Sequence, residues 1–111
     1  MGVYDTATKL ASEIKSSKEY RNFKKHMKEV KSDKDCEELL KNYRIAQIEI
    51  QNYAINNQKM DKKSKKKIED LQSRVANNKK LNNYLNSEIK FAQLMENINR
   101  ILSQAVEKDY E

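Results

Sequence analysis

The sequence of 111 residues predicts an all-α protein, and three observations support that prediction. The chain contains no proline and one glycine, Gly2, although β-sheets rely on both residue types in their turns. Its apolar residues recur at helical spacing almost from end to end. Short polar clusters interrupt that spacing four times, and several of them suit helix caps. We therefore expect a single domain, residues 1–111, folded as a five-helix bundle.

The first two helices are predicted at about residues 3–15 and 17–30. The apolar face of the first consists of Val3, Ala7, Leu10 and Ile14. Ser16 and Glu19 have the spacing of a capping box, which marks the start of a new helix. The apolar face of the second helix consists of Tyr20, Phe23, Met27 and Val30.

The other three helices are predicted at about residues 33–57, 62–76 and 79–107. The cluster Ser32–Asp35 caps the third, and Asp61 caps the fourth. Asn77 and Asn78 separate the fourth helix from the fifth. The fifth helix carries a first apolar stripe composed of Leu81, Leu85, Ala92, Met95, Leu102 and Val106.

The third and fifth helices are too long for a compact domain of this size. At 1.5 Å per residue they reach about 37 Å and about 43 Å, against about 34 Å for the width of a compact globule. Each also carries a second apolar stripe, which suits an interface in an elongated, oligomer-forming protein. The alternative is that the bundle itself covers these helices on two sides. The predicted interface residues are Ile45, Ile48, Ile55, Phe91, Leu94, Ile98 and Ile101.

The net charge of +6 raises the question of a nucleic-acid partner. Lysines outnumber arginines 19 to 4, although specific phosphate and base recognition favours arginine. The densest basic patch comprises Lys62, Lys63, Lys65, Lys66 and Lys67. A solvated helix start explains this patch best, followed by an acidic protein partner and then by sequence-independent RNA or DNA binding.

The sequence suggests neither catalysis nor a cofactor. Cys36 is the only cysteine and follows the apolar stripe of the third helix, so we expect it to pack rather than to ligate an iron–sulfur cluster. His26 has no second ligand at metal-binding spacing, and a surface role is expected. No catalytic motif, signal peptide or membrane-spanning run is apparent. We expect a cytoplasmic protein that is not an enzyme and binds no metal.

The order of several local patterns resembles the YlbF/YmcA family, and its YheA-like branch in particular. The resemblance covers essentially the whole chain, although the prolines usual in two of the family's linkers are absent here. The patterns that carry it are Val3–Ala7, Ser17–Tyr20 with Phe23, Tyr43-Arg44 with Gln47, Asn77–Leu81 with Tyr84-Leu85 and Glu88, and Ile98–Ile101.

The resemblance implies a helical bundle with a long antiparallel hairpin, found as dimers or higher oligomers. It also implies a regulatory role in Gram-positive bacteria, where family members support competence, sporulation and biofilm formation. Two of them join a complex that assists mRNA processing. The partners expected on this basis are a second copy of the chain and other regulatory proteins of an RNA-processing complex.

Overall fold

The computed structural model describes residues 2–107, and it confirms the predicted all-α fold with five helices in that range. The helices are connected by short polar segments, of which the longest joins the third helix to the fourth. In chain order they are α1 (Val3–Ser16), α2 (Lys18–Lys31), α3 (Lys34–Ile55), α4 (Lys62–Ala76) and α5 (Lys79–Glu107).

The start of α2 differs from the predicted capping box. Ser16 is the last residue of α1, and Ser17 caps α2 instead. Ser17 has an extended backbone, and its hydroxyl accepts a hydrogen bond of 3.2 Å from the amide of Tyr20. Both serines fit the sequence preference of an N-cap, so the backbone conformation of Ser17 decides between them.

The end of α3 lies at Ile55, two residues before the predicted boundary. Asn57 adopts a positive φ of 56°, in the left-handed region that asparagine tolerates better than most residues. The amide of Gln58 then donates to the carbonyl of Tyr53 (3.0 Å), and the amide of Asn57 to that of Ala54 (3.3 Å). These two bonds form a Schellman motif, which terminates the helix.

The chain forms two antiparallel helical hairpins that meet at one end. Helices α2 and α5 make the most extensive contact, with residue 26 of α2 beside residue 83 of α5 and residue 19 beside residue 90. Helices α3 and α4 form the second hairpin, in which Ala46 of α3 packs near Ile68 of α4. Within the described residues α1 contacts only α2.

A small core, called the hub below, lies where the two hairpins meet. It is formed by the ends of four helices and consists of the buried residues Val30, Cys36, Val75, Leu81 and Tyr84. The side chain of Asn78 caps α5 by accepting from the amide of Leu81 (3.0 Å). Asn82 donates to the carbonyl oxygens of Val75 and Asn78, both at 2.8 Å, so the turn between α4 and α5 is fixed by asparagine side chains.

The molecule is flat and angled, because the two hairpins leave the hub in different directions. Its principal dimensions are 57 × 39 × 16 Å. Its radius of gyration is 18.9 Å, whereas a compact domain of this length has about 13 Å. The fold is therefore elongated, as predicted, and large parts of α3 and α5 have no neighbour on one side.

Candidate interaction surfaces

The side of α3 that faces α5 is identified by the ion pair between Arg44 and Glu88, the outer of two ion pairs that join the hairpins within the described residues. The other, Lys80–Asp33, lies at the hub. The guanidinium of Arg44 lies 2.6 Å from the carboxylate of Glu88, and the hydroxyl of Tyr84 donates to the same carboxylate oxygen at 3.1 Å. The hydrogen bond that Arg44 donates to Glu88 raises the pKa of Arg44, so this group stays charged. Burial raises the pKa of the Tyr84 phenol, which keeps it a donor.

From this ion pair outwards, α3 and α5 present apolar side chains that nothing in residues 2–107 covers. Ile48 and Ile55 follow Arg44 by 4 and 11 residues and share its helix face. Ala92, Met95, Leu102 and Val106 follow Glu88 by 4, 7, 14 and 18 residues and share its face. We call this surface the inner face; it comprises Arg44, Ile48 and Ile55 of α3 and Glu88, Ala92, Met95, Leu102 and Val106 of α5.

The outer part of the inner face, away from the hub, carries large exposed apolar side chains. Ile48 is 58% exposed and Ile55 79%. On α5, Met95 is half-buried, while Leu102 and Val106 are 54% and 56% exposed. Apolar side chains of this size, adjacent along two helices, are typical of a surface that a partner covers.

The structure divides the seven predicted interface residues into two groups. Ile45, Ile48, Ile55 and Ile101 are exposed, but Phe91, Leu94 and Ile98 are half-buried. Phe91 packs within its own chain, with its ring 5.4 Å from that of Tyr20 and 5.3 Å from that of Phe23 on α2. The second apolar stripe of α5 is therefore the one that turns towards α2.

The interface predicted from the sequence did not include Leu102 and Val106, which belong to the first stripe of α5. Leu102 and Val106 are exposed in the structure because α2 begins at Lys18, next to the middle of α5, and does not reach them. The spacing that could have identified this seam is Leu81, Leu85, Glu88, Ala92, Met95, Asn99, Leu102 and Val106, which alternates steps of four and three residues.

The basic patch Lys62–Lys67 lies in the first turns of α4, at the end of the second hairpin away from the hub. Its five lysines are exposed. Asp61 caps the helix by accepting from the amide of Ser64 (2.8 Å), and this contact lowers the pKa of Asp61. These contacts are those of a capped helix start, the interpretation that the sequence favours for this patch; binding of an acidic protein partner, or of RNA or DNA, stays a prediction.

Cys36 and His26 have the environments of structural residues. Cys36 is 1% exposed, and its thiol lies 3.7 Å from the Asn78 side-chain oxygen. Burial raises the pKa of the Cys36 thiol, which disfavours the thiolate that a cluster needs. The Nδ1 atom of His26 lies 3.3 Å from Glu29. Among residues 2–107 no group of His, Cys, Asp and Glu side chains has the arrangement of a metal site.

None of the helices in the described part of the chain combines the length and the apolarity needed to cross a bilayer. The two longest, α3 and α5, each contain several charged residues.

Comparison with known proteins places these surfaces in a family context. Residues 3–107 match the family model described as "Control of competence regulator ComK, YlbF/YmcA". A UPF0342 protein of Clostridium tetani is 33% identical over 98% of this chain and 94% of its own length. A UPF0342 protein of Halothermothrix orenii is 32% identical over 96% of this chain and 91% of its own length.

A solved structure supports the fold independently. It is a protein of unknown function (DUF964) from Bacillus stearothermophilus, with a TM-score of 0.75 and 15% sequence identity. The alignment covers 97% of this chain and 95% of that one. At this identity the likeness concerns the fold alone.

Proposed function

The chain belongs to the YlbF/YmcA family, and we propose that it is a non-catalytic regulatory protein that acts by self-association and by docking on other proteins. The family description supports a regulatory role. The resemblance noted in the sequence adds that the chain assists an mRNA-processing complex, and we include this setting in the proposal.

The observation that carries the proposal is the inner face. A chain with so small a hub gains little stability from burial, and small domains commonly need a further source of it. Covering Ile48, Ile55, Leu102 and Val106 would remove from water some of the largest apolar side chains that the fold leaves exposed.

A second copy of the chain suits this face because of the spacing along α5. Alternating steps of four and three residues give the period of 3.5 that lets two helices pack along a continuous seam. Asn99 occupies a seam position between Met95 and Leu102. A polar residue at such a position commonly selects one register and one oligomeric state at some cost in stability.

The non-catalytic part of the proposal rests on the state of the two side chains best suited to chemistry. Cys36 is buried as a thiol in the hub, and His26 faces a single carboxylate on its own helix. Covalent catalysis usually requires a nucleophile within hydrogen-bond distance of a base. Neither Cys36 nor His26 has a neighbour among residues 2–107 that would complete such a pair.

The self-association is tested by placing a charge on the inner face. Ile48→Asp and Leu102→Asp should each shift the sedimentation coefficient to that of a monomer, because a buried carboxylate without a partner opposes association. Val3→Asp is the matched control, since Val3 is 80% exposed and lies on α1, away from the inner face. If all three variants sediment like the unmodified chain, the inner face is not the interface.

The regulatory setting needs a separate experiment in the native cell. A tagged chain and its Leu102→Asp variant should be recovered side by side, with bound proteins identified by mass spectrometry. The proposal expects subunits of an RNA-processing complex with the unmodified chain. If none of these subunits is recovered although the chain is folded and abundant, the mRNA-processing part of the proposal is contradicted. Self-association is then still tested separately, by sedimentation.

A further inference from the structure

The two flanks of α2 differ in charge. One flank borders α5 and is mixed, with Lys18, Glu19 and His26 among its residues. The other flank forms an open groove of about 630 Å³ with the end of α1. Every charged side chain that lines this groove is a cation: Lys15, Arg21, Lys24, Lys25, Lys28 and Lys31. We call this surface the α2 groove.

The cations of the α2 groove form a continuous row. Those on α2 run from Arg21 to Lys31, and each has another cation three or four residues away, which places such neighbours about 5–6 Å apart over about 15 Å. Among the described residues, none of the six forms an ion pair with a carboxylate.

Folding stability does not account for this row. Like charges three or four residues apart on a helix destabilise it. Only Lys28 and Lys31, in the last turn, interact favourably with the helix dipole. Lys24 and Lys25 gain nothing comparable, and Arg21 gains only a long hydrogen bond, 3.4 Å from its Nε to the carbonyl oxygen of Ser17, so an anionic partner is the physical condition under which the whole row becomes favourable.

The floor of the groove indicates which anion fits. Tyr20 and Met27 are half-buried in it, and the aliphatic stems of the lysines extend that apolar floor below a rim of ammonium groups. A flexible methionine side chain adapts to different apolar partners. The groove therefore matches a partner with carboxylates on one side and apolar side chains beside them.

We propose that the α2 groove binds an acidic amphipathic helix of another protein. Carboxylates spaced by three and four residues on such a helix would face the row of cations, and its apolar side chains would contact Met27 and Tyr20. This site lies on a different surface from the inner face, so it extends the proposed function and does not depend on self-association.

A phosphodiester chain fits the groove less well. Single-strand binders stack bases on free aromatic rings, but the ring of Tyr20 is already packed against Phe91 at 5.4 Å. Five of the six cations are lysines, which lack the bidentate geometry with which arginine recognises phosphate. A nucleic acid would also leave the apolar floor without a partner.

The probe is a fluorescent peptide of about 16 residues with glutamates and leucines arranged to form an acidic amphipathic helix. A scrambled peptide of the same composition and a labelled polyuridine of similar length are measured beside it. We expect anisotropy titrations at about 50 mM salt to show that the helical peptide binds at least about fivefold more tightly than the scrambled peptide or polyuridine. Equal binding of both peptides, or tighter binding of polyuridine, would overturn the proposal.

Matched charge reversals localise the binding. Lys24→Glu/Lys28→Glu should lower the affinity for the peptide about tenfold or more, because attraction between opposite charges is replaced by repulsion. The milder Lys24→Gln/Lys28→Gln should lower it about threefold, because the attraction is lost without repulsion. Lys63→Glu/Lys67→Glu changes the net charge by the same amount as the first variant but should alter binding less than about twofold. Ile48→Asp should bind the peptide as the unmodified chain does. Equal losses in the α2 and α4 variants would show unspecific attraction and contradict the α2 groove.

Discussion

The two ends of α5 share the same apolar spacing but have different surroundings. At the start of the helix, Leu81 is 0% exposed and Tyr84 6%, since four helix ends enclose them. About five to six turns later, Ile101 is 66% exposed and Leu102 54%, although the apolar spacing continues without a break. Apolar periodicity therefore predicts which face of a helix will be covered, while the reach of neighbouring helices determines whether its own chain covers it.

The largest effect should come from truncating the same residue type at the two ends of α5. Leu81→Ala removes a fully buried side chain from the hub and should lower the free energy of unfolding by about 2–5 kcal/mol. Leu102→Ala should lower it by less than about 1 kcal/mol when unfolding is measured at a protein concentration low enough to dissociate the oligomer, because that side chain is half exposed in the single chain. Urea denaturation of both variants at one protein concentration is the measurement. Equal losses would mean that the outer end of α5 is as well covered as the hub.

A smaller effect is expected from the ion pair that connects the two hairpins. Arg44→Ala, Glu88→Ala and the double variant form a double-mutant cycle, which measures the coupling free energy of this contact. The side chains are 41% and 32% exposed, so solvent screening limits the coupling to about 0.5–1.5 kcal/mol. If the coupling free energy is zero, the pair does not hold α3 against α5, and the inner face would have to be defined by other contacts.

The smallest effect concerns two aspartates that cap helices in different places. Asp33 caps α3 at the hub, and the amide of Cys36 and then Lys80 (3.2 Å) lower its pKa from 3.8. Asp61 caps α4 away from the hub, and its pKa is lowered mainly by Ser64. A carboxyl with a lowered pKa stabilises the fold above its unfolded pKa, and that contribution is lost as pH falls through the folded value.

The pH dependence then separates the two caps. Asparagine keeps the capping oxygen but has no charge. Asp33→Asn should therefore reduce the melting temperature at pH 7 more than Asp61→Asn, since Asp33 forms an ion pair with Lys80. The difference should vanish near pH 2, where both carboxyls are protonated. A difference that persists at that pH would show that charge is not the cause.

Much of the fold follows from the sequence because its signals are local. The lack of proline and the apolar spacing identify five helices, and Asp33, Asp61 and Asn78 begin three of them as capping residues. The errors are also local: Ser16 and Ser17 both suit a cap, and the left-handed Asn57 that ends α3 has no distinctive neighbour in the sequence.

The surfaces were harder to predict because they depend on which helices meet. Both stripes of α5 have interface spacing, and only the contact of Phe91 with Tyr20 and Phe23 shows that the second one serves the fold. The cations of the α2 groove are interrupted along the sequence by residues that lie on other faces of the helix. The basic patch predicted from the sequence was therefore Lys62–Lys67, where the lysines are densest.

The mass of the unmodified chain in solution is the most direct test of the central claim, that a partner copy covers the inner face. Sedimentation equilibrium between about 1 and about 100 μM protein gives the mass, and thermal unfolding at the same concentrations gives the melting temperature. The claim links these two quantities. The expected result is a mass of at least twice 13.1 kDa and a melting temperature that rises with concentration. A mass of 13.1 kDa throughout, with a cooperative and concentration-independent transition, would contradict it.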